Sequence, residues 1–207
     1  QNIPAKVVSG DFYNFSDLGN NKFGFGVADV SGKGIKSSLL MSKASSLYRC
    51  LSKTIFSASS LLKILNDEIC ETTTRGMFVT MIVGVYDKNK NELLLSNAGH
   101  EPPLIFSSDG NFKTVDEAGP PLGIAPNFKF TEQTISFKES SMYIFTDGIT
   151  EMKNTNGDML GQEGFQDYIK KYQSTPNNKR LQKIIEDLIS SGRIQKDDLT
   201  IVTVDGK

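Results

Sequence analysis

The chain has 207 residues, 38% of them hydrophobic, and carries 23 Lys and Arg against 24 Asp and Glu for a formal charge of −1. This balance argues against a strongly electrostatic partner, local patches aside. No basic run or aromatic–basic interleaving marks a nucleic-acid surface, and no stretch approaches the roughly 20 apolar residues of a membrane span. Length and apolar content suffice for a sizeable core. With no composition shift, linker or internal repeat, residues 1–207 read as one domain. No signal peptide opens the chain. Its abrupt start at Gln1 reads as that of a cytoplasmic domain excised from a longer regulatory protein, whose parent could itself be membrane-anchored.

In chain order, Ala5 to Phe15 reads as a strand, Asp17 to Lys22 as a hairpin turn by its Asn, Asp and Gly content, and Phe23 to Val30 as a second strand. The two glycines of that strand point to close backbone approach. The period then changes. Lys36 to Leu51 places Leu39, Leu40, Ala44, Leu47, Tyr48 and Leu51 on one helical face, and Ser59 to Thr72 does the same with Leu61, Leu62, Ile64, Leu65 and Ile69. Cys50 and Cys70 fall in these helices and are expected as reduced core thiols; they match neither a zinc spacing nor a disulfide framework.

Strands return at Met77 to Asp87 and Glu92 to Ala98, which form a hairpin. Others are expected at Leu104 to Ser107, Phe112 to Val115, Phe128 to Phe137 and Ser141 to Thr146. Helices at Glu163 to Tyr172 and Asn178 to Ser190 precede a last strand, Leu199 to Val204. Hairpin connections dominate over βαβ alternation, which favours an α+β layered fold.

Four acidic clusters lie far apart, each where an apolar strand meets a small-residue turn: Ser9-Gly10-Asp11-Phe12-Tyr13, Ala28-Asp29-Val30-Ser31-Gly32-Lys33-Gly34, Phe145-Thr146-Asp147-Gly148-Ile149-Thr150-Glu151 and Asp197-Asp198-Leu199-Thr200. A single Asp at such a place is usually a turn or cap residue. Converging, the four would repel one another and be costly to desolvate. A cation would offset that, and hard oxygen ligands suit Mg²⁺ or Mn²⁺. Two bridged divalent ions would form a hydrolytic centre that needs no Cys or Ser nucleophile.

These motifs, with Met77-Phe78-Val79-Thr80, Asn97-Ala98-Gly99-His100-Glu101-Pro102-Pro103 and Gly119-Pro120-Pro121-Leu122-Gly123 between them, resemble the metal-dependent Ser/Thr protein phosphatases of type 2C. The resemblance is greater to their bacterial sporulation and general-stress branch, and it covers nearly the whole chain. It implies a four-layer α-β-β-α sandwich, two antiparallel sheets flanked by helix pairs. The implied activity is hydrolysis of phosphoserine or phosphothreonine on a regulatory protein of the anti-sigma-factor antagonist type. By resemblance two divalent cations, Mn²⁺ or Mg²⁺, are held by Asp11, Asp29, the Val30 carbonyl, Asp147 and Asp197. Asp29 bridges both ions, Asp147 and Asp197 complete one, and Asp11 and Val30 serve the other; Asp29 and Asp147 are the catalytic pair. Asp198 is expected behind the ligands or on the surface, because adjacent strand residues face opposite ways.

Two departures from the wider family stand out: Ser31 occupies the place of a His after the bridging Asp, and no Arg precedes Arg49 to grip phosphate. His100, beside Gly99 and Pro102, is expected to order a loop rather than act as an acid, with Asn97 near it. Gly32 belongs to a Ser-Gly-Lys-Gly turn that lacks P-loop spacing. The helix from Lys36 starts directly after the Asp29 motif. The resemblance implies that an upstream sensor domain or a homodimer regulates activity there. Competing readings are a catalytically silent phosphoprotein-binding module and a small-molecule phosphomonoesterase.

Overall fold

The computed structural model describes residues 1–5, 8–72, 76–115 and 118–206. One five-stranded antiparallel sheet contains β2 (Phe12–Gly19), β3 (Lys22–Val30), β4 (Val79–Asp87), β5 (Glu92–Ala98) and β8 (Gln133–Ser136), in that order. The other runs β1 (Asn2–Ile3), β10 (Leu199–Asp205), β9 (Ser140–Phe145), β6 (Leu104–Ser107) and β7 (Phe112–Thr114). Helices α1 (Ile35–Leu51) and α2 (Ala58–Thr72) cover the first sheet through Leu40, Ala44, Tyr48, Leu62 and Leu65. The second is covered by α3 (Asp147–Thr150), α4 (Gly161–Lys171) and α5 (Asn177–Ser190), through Ile149, Phe165, Ile169, Ile184 and Leu188. Between the sheets Phe25, Val27, Ile82, Leu93, Ile144 and Val202 form a third apolar layer. The result is the expected α-β-β-α sandwich.

Local chemistry explains the main turns and contacts. The β2–β3 hairpin closes on Asn20 and Asn21, both at positive φ (51° and 59°), as a type I′ turn requires and as Asn tolerates. Tyr48 of α1 lies flat on Gly26 of β3, where an added Cβ would stand 2.7 Å from the ring. This is the close approach expected of that strand.

Several expectations are corrected. The first strand starts at Phe12 rather than Ala5, with residues 6 and 7 outside the described set. Only Gln133–Ser136 of the 128–137 stretch is strand; Phe128 and Phe130 meet edge to face, 5.0 Å between centroids, and pack against the α1–α2 layer. Leu39 is 67% exposed, because α1 buries only the narrow row Ser37, Leu40, Ala44 and Tyr48, and Ile64 sits at the rim of the α2 stripe, outside the buried row of Leu61, Leu62, Leu65 and Ile69. Cys50 is exposed and Cys70 half-buried, so neither is a core thiol. The two-residue strand β1 and the single turn α3 were not expected from the sequence.

Candidate active site

Strand register brings the acidic clusters to one end of the sandwich. β2 and β3 pair Phe12 with Ala28, so Asp11 and Asp29 lie one step beyond, at the mouth of that sheet. In the other sheet β10 and β9 pair Ile201 with Phe145, and the next residues, Thr200 and Thr146, join through Thr146 N–H donating to the Thr200 carbonyl at 3.2 Å. Asp147 follows as the first residue of α3, and Asp197 and Asp198 precede β10. Half of the site therefore hangs from each sheet.

Asp11 is buried, and its Oδ2 accepts hydrogen bonds from the hydroxyls of Thr146 (2.8 Å) and Thr200 (2.6 Å). Burial foremost, then the charge of Asp29, pushes the Asp11 carboxyl up to about 8 despite those two donors. Asp29 is raised too, by burial first and by the charges of Asp197 and Asp198, while contacts with Asp11 and the Val30 backbone oppose the shift. The two carboxyls are in side-chain contact. Carboxyls this close cannot both ionise freely without a counter-charge.

Asp147, pushed up to about 6 by burial first, feels Asp29, Glu151, Asp197 and Glu101. Asp197 is half-exposed and pairs through Oδ2 with Lys33 Nζ at 2.7 Å. An ion pair with both partners this exposed is worth less than about 1 kcal/mol. Asp198 is buried, so the surface alternative for it is corrected. Its Oδ1 accepts the Ala5 N–H (2.7 Å), and its Oδ2 accepts the Gly10 N–H (2.6 Å) and the Ser9 hydroxyl (2.8 Å). Asp198 thus fastens the N-terminal segment so that Asp11 enters the cluster. Gly10, Asp29, Gly32, Lys33, Asp197 and Asp198 line a shallow cleft between the halves.

The neighbouring candidates have structural partners. Ser31 Oγ accepts the Phe78 N–H (2.8 Å) and Ser31 N–H donates to the Phe78 carbonyl (3.0 Å), pinning the turn after Asp29 to the start of β4. His100 is buried beneath the site. Its Nδ1 bonds to the Thr80 hydroxyl at 3.0 Å, and Nε2 lies by the Phe145 backbone without completing a hydrogen bond. Burial holds the imidazole down to about 4, so it is neutral near pH 7. Asn97 closes the loop around it, accepting the His100 N–H (2.8 Å) and donating to its carbonyl (3.0 Å). Gly32 turns the chain at φ 86°.

The structure thus gathers Asp11, Asp29, Asp147, Asp197 and Asp198 with the Val30 backbone, and sets His100 and Asn97 behind them. Among the described residues no three His, Cys, Asp or Glu side chains already close on a common point as a finished ion cage. Lys33 and two threonine hydroxyls occupy part of the carboxylate surface. Thr146, Thr200, Glu101 and Glu151 had no assigned part in the sequence reading. The signal for them was their place inside the acidic and His100 motifs themselves.

Comparison with known proteins gives the family and the fold. The chain is 29% identical over 205 residues to the phosphoserine phosphatase RsbU of Bacillus subtilis, covering 98% of this chain and 61% of RsbU; it spans under two thirds of the length of that relative. The fold is shared with the SiaA-PP2C domain of Pseudomonas aeruginosa, at TM-score 0.87 and 16% identity, covering 100% of this chain and 85% of that one. It is also shared with RsbX in complex with magnesium, at TM-score 0.73 and 18% identity, covering 98% and 91%. The model of the stage II sporulation protein E (SpoIIE) family matches residues 19–207. With nearly the whole chain so matched, the protein belongs to the SpoIIE family.

Proposed function

We propose that the chain is a metal-dependent protein serine/threonine phosphatase domain. The observation that carries this reading is the crowding of Asp11, Asp29, Asp147 and Asp197 at one end of the sandwich, with the carboxyls of Asp11, Asp29 and Asp147 raised by burial first and then by neighbouring carboxylates. A donor set of carboxylates and a backbone carbonyl fits a hard divalent cation, and like charges in this state call for one. The family membership, the name of RsbU and the magnesium complex of RsbX support the same reading.

In this reading Asp29, Asp147 and Asp197 would hold one Mn²⁺ or Mg²⁺, and Asp29, Asp11 and the Val30 carbonyl would hold a second. When bound, such ions acidify water and offset charge on the phosphoryl oxygens. The chain's own residues supply order. Thr146 and Thr200 fix Asp11, Asp11 fixes Asp29, and Asp198 fastens the Gly10 segment. Neutral, buried His100 stands behind Thr80 and out of reach of a substrate in the cleft, which leaves solvent to protonate the departing oxygen.

The substrate class in this proposal is a phosphorylated anti-sigma-factor antagonist, the setting cytoplasmic, and an upstream sensor region or homodimer the regulator. Among the described residues no helix is long and apolar enough to cross a membrane. Residues 1–207 are taken as one domain because β1 and β10, from opposite ends of the chain, pair in one sheet. The decisive assay is Mn²⁺-dependent phosphate release from an aryl phosphate and from a phosphoprotein, with Asp29→Ala and Asp147→Ala as controls. Turnover that survives both substitutions rules the mechanism out. A folded protein without turnover under any divalent ion returns the silent binding module. Turnover of the aryl ester alone returns the small-molecule esterase.

A further inference from the structure

A phosphoserine brings a dianion into a cleft whose walls carry Asp29, Asp197 and Asp198, with Asp147 and Glu151 close behind. Divalent ions would offset part of that repulsion, and a cationic side chain at the cleft wall can offset more of it at the phosphoryl oxygens that face the protein. Among the described residues lining the cleft, Lys33 is the only cationic one. Its Nζ lies 2.7 Å from Asp197 Oδ2 and 3.0 Å from the Lys196 carbonyl, which places the ammonium at the edge of the carboxylate cluster and open to solvent. Three features let it move. The pair is exposed on both sides, 44% at Lys33 and 36% at Asp197, and so weakly held. Gly32 and Gly34 flank the lysine at φ 86° and 91°, with open space where their Cβ atoms would be. Lys33 also lies outside α1, one residue before its N-cap Gly34.

We propose that Lys33 is the phosphoryl-positioning residue of this site, exchanging its contact with Asp197 for one with a phosphoryl oxygen of the incoming phosphomonoester. It would supply the grip that no arginine before Arg49 is present to give. The inference rests on the phosphatase reading above, and its test separates the two. Mn²⁺ alone, then inorganic phosphate, is titrated calorimetrically into wild type, Lys33→Met and Lys33→Arg, and KM and kcat are measured with an aryl phosphate.

The expected result is Mn²⁺ affinity in Lys33→Met within about threefold of wild type and phosphate affinity lower by about tenfold, the scale of one lost charge-assisted hydrogen bond. KM should rise in step with the loss of phosphate affinity, and Lys33→Arg should restore most of both. Unchanged phosphate affinity in Lys33→Met overturns the proposal. So does a parallel loss of Mn²⁺ affinity, which would make Lys33 a strut for Asp197. Wild-type protein that binds no Mn²⁺ overturns the metal-dependent reading itself. Phosphate titrated without metal then decides Lys33 separately, and equal affinities in wild type and Lys33→Met overturn it.

Discussion

Gly148 and Asp198 approach so closely that a Cβ on Gly148 would stand 2.0 Å from the Asp198 carbonyl oxygen. Both sit one residue beyond a candidate ligand, Asp147 and Asp197, so this contact sets how near those two carboxylates come. Backbone cannot yield as a flexible side chain does. Gly148→Ala should cost about 2 kcal/mol or more as overpacking, lowering Tm by at least about 4 °C. It should also remove most Mn²⁺-dependent turnover. Thermal melts and the aryl phosphate assay check both, and normal turnover in the variant would show that the turn tolerates displacement.

Thr146 holds the site from the second sheet. Its hydroxyl donates to Asp11 Oδ2 and also accepts the Thr200 N–H at 3.2 Å. Thr146→Val strips both bonds without emptying the space. Leaving a buried carboxyl and a buried N–H short of partners costs about 1–3 kcal/mol. The lost donor favoured the ionised carboxyl, so Asp11 moves further up and the deficit should be larger at about pH 9 than at about pH 5. Denaturant unfolding at the two values measures it.

The raised carboxyls fix a sign for the pH dependence of the metal-free protein. Folding holds the Asp11 proton up to about 8 and that of Asp147 up to about 6, whereas an unfolded Asp releases it near its ordinary value of roughly 4. Over that window the folded form binds more protons, so stability falls as pH rises and the penalty is complete above the folded value. A divalent ion at the carboxylates removes the penalty. The gain in Tm on adding Mn²⁺ should therefore be greater at about pH 8 than at about pH 5. A gain independent of pH would place the ion elsewhere.

Ser31 stands where many relatives of the wider phosphatase family are expected to carry a proton-donating histidine. Its hydroxyl accepts the Phe78 N–H, a structural task. A general acid contributes about 10²–10⁴-fold, so Ser31→Ala should leave kcat within about tenfold of wild type while costing about 1 kcal/mol of stability. A kcat loss of a hundredfold in a variant that melts normally would restore Ser31 to the chemistry.

Strand ends and hairpins were legible because alternation, turn residues and acidic clusters are local signals. Once Phe12 pairs with Ala28, the approach of Asp11 to Asp29 follows from register alone. What stayed hidden depends on partners distant in sequence. The hydroxyl of Thr200 reaches Asp11 across 189 positions, and Asp198 turns inward because the backbone at Ala5 and Gly10 is there to meet it. Periodicity located the α1 and α2 stripes but not their width. Leu39 counts toward the stripe by spacing, yet the buried row of α1 is Ser37, Leu40, Ala44 and Tyr48, with Tyr48 covering Gly26, and Leu39 is left outside. Cys50 was misplaced for the same reason, since a helical pattern shows which residues align and not how far the covering surface extends.

The apolar layer of Phe25, Val27, Ile82, Ile144 and Val202 holds apart the two sheets from which Asp29 and Asp147 are suspended. Hydrocarbon packed to interior density barely compresses, so this layer works as a spacer of fixed gauge. The calibre of the opening where the carboxylates face one another is then machined several residues away, by methyl groups that never meet a substrate.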